Sequence, residues 1–266
     1  MINQSDDFTM AYQDSCDRAT VLFIHGFPFN SSMWEPQLEE VSDMVRVIAP
    51  DLRGHGQSDA VSGPYSMKLL AGDCARLLEH LSINGPVVVC GLSMGGYVAL
   101  EFYRQYPEYV DALILASTRA GADTAEGKAN RDKLAAAARE NGADAVVEAM
   151  LPNLLSPQSR EDDPELVEYV EEMMRSTSVE GVVGALMGMK DRPDSTATLA
   201  GIDVPTLIIH GADDKIIPAS EAEAMHAAIE DSELVIIDDA GHLPNLEQPD
   251  AFNDAIIDFL ESLEEE

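Results

Sequence analysis

The segment Gly91-Leu-Ser93-Met-Gly95 constrains this chain more than any other feature. It lies between the apolar run Pro86-Val-Val-Val-Cys90 and the helical stretch Gly96 to Tyr106. A buried strand must therefore turn within a few residues into a helix. Such a turn presses backbone against backbone, and only glycine at 91 and 95 avoids side-chain collisions. The residue at its apex is strained, which pushes the Ser93 hydroxyl into the open. The helix that follows aims its first N–H groups and positive dipole end at the same point. A Gly-x-Ser-x-Gly turn with both flanks present fits a nucleophilic serine; the alternative is a helix-capping serine in a glycine turn.

The rest of the chain alternates short β-rich runs with helical ones, the pattern of a mostly parallel sheet with helices on both faces. Phe8 to Tyr12 reads as a marginal edge strand, and Thr20 to Ile24 as a buried one. Ser32 to Ser42 has helical character, with Ser31 or Ser32 as its cap. Arg46 to Ala49, Ala112 to Ala116, Val204 to Ile209 and Leu234 to Ile237 supply further strands. Helices are expected over Lys68 to Leu81 and Asp250 to Leu263, the chain then ending in a solvated tail, Glu264 to Glu266. Between Arg119 and about Ala200 strands disappear and amphipathic patterns take over. Leu166, Val167, Val170, Met173 and Met174 form one such stripe. The expected organisation is a core of residues 1–118 and 201–266 with a helical cap, 119–200, inserted in it.

Charge narrows the field of partners. The 266 residues carry 49 acidic and 16 basic side chains, a formal net charge of −33. On a globule exposing on the order of 11,000 Å², neighbouring net charges lie about 18 Å apart. Such a surface repels nucleic acid and anionic lipid. Acid-rich and lysine-poor, it resembles the surfaces of salt-adapted proteins, so a halophilic or halotolerant source is expected. No run of about 18 apolar residues suggests a membrane span. The polar, acidic start lacks the look of a secretory signal. Cys16, Cys74 and Cys90 show neither metal spacing nor a paired framework, and a cytoplasmic setting is expected.

Five motifs, in order, carry a resemblance to the α/β-hydrolase superfamily. They are His25-Gly-Phe-Pro28, the loop Asp51-Leu-Arg-Gly-His-Gly-Gln-Ser58, the turn Gly91 to Gly96, Gly211-Ala-Asp-Asp-Lys-Ile-Ile-Pro218, and Gly241-His242 with Glu247 and Pro249. The resemblance covers nearly the whole chain outside the cap. It implies the α/β-hydrolase fold and a serine hydrolase using Ser93, Asp214 and His242, with no metal or organic cofactor. Serine needs a base to take its proton, and the order Ser…Asp…His puts that base near the C-terminus. His25, His55, His80, His210 and His226 compete with His242. Asp213, Asp238 and Asp239 compete with Asp214, although Asp213 and Asp214 cannot both serve, since adjacent side chains on an extended backbone point opposite ways. The backbone N–H groups of Phe27 and Met94 are the expected oxyanion donors. Arg53 and His55 are expected to be structural.

Serine at the turn separates the chain from haloalkane dehalogenases and epoxide hydrolases of this fold, which use aspartate there. The spacing is most similar to small esterases, enol-lactonases and cofactor-free haloperoxidases. The expected substrate is a small ester or lactone, of short or medium acyl length, since there is no basic membrane-binding helix. Perhydrolysis or acyl transfer on the same triad, and a ligand receptor with vestigial hydrolysis, are the alternatives. Met150, Leu151, Leu154, Leu155, Met173, Met174, Met187 and Met189 of the cap are candidates for an apolar pocket, the larger share being expected in the cap's own core.

Overall fold

The computed structural model describes residues 2–4, 8–15 and 19–264; Cys16, Glu265 and Glu266 lie outside the described residues. Eight strands among them form one sheet: β1 (Ile2–Gln4), β2 (Thr9–Asp14), β3 (Thr20–Ile24), β4 (Arg46–Pro50), β5 (Val87–Leu92), β6 (Val110–Ala116), β7 (Thr206–Gly211) and β8 (Ser232–Ile237). The order across the sheet is β1-β2-β4-β3-β5-β6-β7-β8. From β4 to β8 every pairing is parallel, whereas β1 with β2 and β2 with β4 are antiparallel. The strand predicted at Phe8 to Tyr12 is thus displaced to Thr9–Asp14, and it is not the edge, because β1 pairs along its outer side. That pairing joins two short segments with little periodicity, which leaves no sequence signal to read.

The helices before the insertion are α1 (Glu35–Val41), α2 (Met67–His80) and α3 (Met94–Gln105). A 3-10 turn, Ser31–Trp34, precedes α1, and its cap is Asn30, whose side chain accepts from Ser32 N–H, instead of the expected Ser31 or Ser32. Asparagine is an equally strong cap. Six helices stand between β6 and β7: α4 (Ala125–Asn141), α5 (Asp144–Leu154), α6 (Pro157–Asp162), α7 (Pro164–Ser176), α8 (Val179–Lys190) and α9 (Thr196–Leu199). The chain finishes with α10 (Ala219–Ala228), α11 (Pro244–Glu247) and α12 (Pro249–Glu264).

β3, β5 and β7 are buried along their whole length, as strands covered on both faces must be. The inserted helices bury Val170, Met173 and Met174, the inner face of the predicted stripe, together with Leu154, Leu155 and Met189, in the same continuous apolar core as the sheet. They also seat closely on the core. Along α8, Gly181, Gly184 and Gly188 face the backbone of Gly54, the ring of Tyr65 and the Tyr65 carbonyl, where a Cβ would overlap its neighbours. No helix among the described residues is long and apolar enough to cross a membrane.

Candidate active site

β5 delivers Ser93 at its C-terminal end, and α3 begins at the next residue. Ser93 adopts φ 56° and ψ −111°, a left-handed backbone that costs an L-residue of order 1–3 kcal/mol. The surroundings impose it. A Cβ at Gly91 would enter the Gly95 carbonyl, and one at Gly95 would enter the carbonyl of Ile24 on the neighbouring strand. Ser93 N–H donates to Ala116 O at 2.9 Å, and Thr118 Oγ1 donates back to Ser93 O at 2.8 Å. The turn is therefore clamped from the end of β6 as well as by its own glycines.

His242 Nε2 stands 2.9 Å from Ser93 Oγ, and its Nδ1 stands 2.7 Å from Asp214 Oδ2. The other oxygen of Asp214 accepts from Ile216 N–H at 2.8 Å and Ile217 N–H at 3.0 Å. Burial alone would raise the Asp214 pKa, but the His242 imidazole and these backbone donors outweigh it, so the carboxyl sits below its ordinary value. The arrangement fixes Nδ1 as the protonated nitrogen and leaves Nε2 as an acceptor facing the serine hydroxyl. Chemically, it can take a proton from Ser93 and hold the resulting imidazolium beside a carboxylate.

Of the competing carboxylates, Asp213, Asp238 and Asp239 are exposed. His80 and His226 are exposed on helices. His25 and His55 are fully buried, with ring centroids 5.0 Å apart beneath the Phe27 loop. Burial drives their pKa values down to about 4 and about 3, which keeps both rings neutral at pH 7. His25 Nε2 accepts from Leu52 N–H, joining the loop that carries Phe27 to the loop that starts at Asp51. Arg53 is locked on Asp73 at 2.5 and 2.9 Å. His210 donates from Nε2 to Ile217 O at 2.9 Å and lies 3.5 Å from Asp214 Oδ2.

Met94 opens α3, so its N–H has no carbonyl to bond within the helix. Among the described residues, the Phe27 N–H is likewise given to no acceptor. Both residues are buried, and Met94 directly follows Ser93. Among the described residues, no group of three or more His, Cys, Asp or Glu side chains is placed to hold a metal ion.

Glu247 does work that its motif does not announce. Its Oε1 accepts from Gly241 N–H at 2.8 Å and Leu243 N–H at 3.2 Å, bracketing His242, while Oε2 accepts from Ser156 N–H at 2.7 Å in the insertion. His242 N–H itself donates to Leu154 O at 2.8 Å. The loop carrying the imidazole is thus tied to the inserted helices. A buried glutamate spaced a few residues after Gly-His is the sequence signal; its partner in the insertion has none.

Beside the Phe27 loop opens a cleft of about 300 Å³, walled by the insertion through Met150 and Leu186 and by the core through Phe27 and Ile216. Of the eight cap residues named as pocket candidates, Met150 is the one on this wall.

Residues 21–255 match the alpha/beta hydrolase family. The chain is 32% identical to 3-oxoadipate enol-lactonase 2 of Acinetobacter baylyi over 90% of its own length and 88% of that protein. Among solved structures it is similar to a thermophilic esterase from Thermogutta terrifontis, determined with malate bound, at 42% identity and TM-score 0.94, covering 96% of this chain and 94% of that one. The enol-lactonase from Burkholderia xenovorans LB400 superposes with TM-score 0.91 at 28% identity, covering 98% and 100%. With the serine turn, the strand order and these likenesses together, the chain belongs to the alpha/beta hydrolase family.

Proposed function

We propose that the protein hydrolyses a small carboxylic ester or lactone, with Ser93 as nucleophile, His242 as general base and acid, and Asp214 as the orienting carboxylate. One observation carries this reading: an unbroken line of hydrogen bonds runs from Ser93 Oγ through His242 to Asp214, and it starts on a serine held at φ 56°. In the proposed cycle Ser93 Oγ attacks the acyl carbon while His242 Nε2 takes its proton. The negative charge on the acyl oxygen is received by the N–H groups of Phe27 and Met94. As the carbon–oxygen bond to the alcohol breaks, the imidazolium returns its proton to the leaving oxygen. Water then attacks the acyl carbon and loses a proton to Nε2; as the carbon–Oγ bond breaks, the imidazolium returns that proton to Ser93 Oγ and the acid leaves. Protein groups and water account for every bond and proton, so the scheme requires no cofactor.

A lactone is a cyclic ester and enters this cycle unchanged, which suits a chain related both to an enol-lactonase and to an esterase. In the proposed organisation, residues 1–118 and 201–266 are the catalytic core and 119–200 a cap that walls the acyl site. The cleft between Met150 and Phe27 supports that division and favours short or medium acyl chains. Cys74 and Cys90 are free and buried, in keeping with the proposed cytoplasmic setting.

The test is active-site titration with a fluorophosphonate together with turnover of p-nitrophenyl acetate and butyrate. Activity is expected to fall in proportion to labelling at Ser93, and Ser93→Ala to lose at least about 10⁴-fold in kcat. Undiminished turnover by Ser93→Ala would sink the reading.

A further inference from the structure

In a chain of net charge −33, three of the 16 basic residues converge on the cleft beside the Phe27 loop. Arg119 comes from the segment after β6, one residue past the Thr118 that bonds the Ser93 carbonyl. Arg131 comes from α4, and Lys215 from the loop directly after Asp214. The one carboxylate on the cleft wall is Asp123, and it is already taken. Arg192, 2% exposed, lies 2.6 Å from Asp123 Oδ1 and is further tied to Met189 O and Gly121 O. That pair is neutral and structural. Arg131 also bonds Asp123, and Arg119 does so at 3.0 Å, so three guanidinium groups share this carboxylate; Asp194, outside the cleft, acts on Arg192, which leaves the positive charge in excess on the Arg119 and Arg131 side. Among the described residues Arg119 Nε has no hydrogen-bond acceptor, and Lys215 has no ion pair. Glu221, at the start of α10, acts on Arg119 but does not line the cleft, and Asp213 beside Lys215 is exposed.

We propose that Arg119, Arg131 and Lys215 form a carboxylate-binding subsite, so that the preferred substrate is an ester or lactone bearing a second, ionised carboxyl group. The inference rests on the hydrolase reading above and adds the chemical class of the acyl group. The arginine charge in excess attracts an anion; Arg119, whose Nε is unbonded among the described residues, and Lys215 offer the donors, while the Arg131 fork stays on Asp123 and Met189 Sδ and contributes its charge. Phe27, Leu134 and Ile216 give the same cleft an apolar wall for the carbon chain between the two carboxyl groups. The location is selective because it opposes the molecule's own field: the general surface repels anions and this patch admits them.

The experiment compares kcat/KM for mono-p-nitrophenyl glutarate with that for the neutral, equally long p-nitrophenyl valerate. The wild-type ratio is expected to exceed one. Lys215→Gln, at an exposed position, is expected to lower the ratio about fivefold, and Arg119→Gln about tenfold or more. A ratio at or below one in the wild type, or one that neither substitution moves, overturns the proposal. A second arm needs no turnover. Glutarate, but not glutaramide, should raise the unfolding temperature of the wild type, and less so for Lys215→Gln. If both esters are inert and Ser93 is not labelled while glutarate still binds through Lys215, the hydrolase reading fails and the anion site stands. If valerate ester turns over but glutarate neither binds nor is preferred, the anion site alone fails.

Discussion

The residues that were legible one by one are those whose positions the backbone dictates. Gly91, Ser93 and Gly95 can be read because a strand cannot enter a helix so abruptly with any other pattern, and the structure holds Ser93 at φ 56°. His242 and Asp214 follow from chain order and from their own glycine turns. Arg119, Arg131 and Lys215 could not be read together, because they are distant in sequence and meet only in the folded molecule. His25 and His55 show the same limit in another way. As letters they compete with His242; as a buried pair they are neutral rings with pKa values near 4 and 3. That pair makes a prediction about acid. Both values lie below the 6.5 of an unfolded histidine, so the unfolded chain binds protons that the folded chain refuses. The resulting stability is fully present above about pH 6.5 and is lost as the pH falls toward 4. Unfolding free energy measured by denaturant titration should therefore drop steeply between those limits. His55→Phe should flatten the slope by about one proton, and an unchanged slope would show that these rings do not carry it.

Elements were legible where period and length agree. α2 carries apolar residues at helical spacing and lies within one residue of its predicted bounds, with Ser66 as its cap. The β1–β2 pair was not legible, and neither was the way α8 meets the core. A helix with glycine at 181, 184 and 188 reads locally as a weak one. Its reason is tertiary, for those positions are where the insertion touches Gly54 and Tyr65. Any Cβ at 188 would have to displace the Tyr65 backbone, and with it the seat of the helix that carries Leu186 to the cleft wall. Gly188→Ala is expected to cost about 1–3 kcal/mol by overpacking, a fall of roughly 2–4 °C in Tm for each kcal/mol at this chain size. Its kcat/KM should fall with it. Gly85→Ala, where the new methyl meets open space, is the control and should stay within about 0.5 kcal/mol. Equal effects at 85 and 188 would mean that close approach is not what α8 is built for.

The molecule as a whole is dominated by one quantity that no single element shows. Its surface is 11,197 Å² and its formal charge −33, which sets about 340 Å² and about 18 Å to each excess charge. Two charges at that distance in water repel by about 0.2 kcal/mol before screening. At 0.1 M salt, with a Debye length of ~10 Å, roughly a sixth of that survives. Over on the order of a hundred neighbouring pairs the total reaches ~4 kcal/mol, a ceiling because the unfolded chain keeps part of the repulsion. Ion pairs do little to reduce it, since Asp123 alone engages three of the arginines. We propose on this ground that the protein is adapted to salt, and the dependence on concentration tests the cause. If screening is responsible, Tm should rise steeply from 0.05 to about 0.5 M KCl, where the Debye length shrinks to ~4 Å, and then level off. A rise that starts only above about 1 M and continues linearly would instead reflect salting-out of apolar surface. A flat curve would mean that the repulsion is already balanced by ions bound at low salt, and the case for salt adaptation would fall.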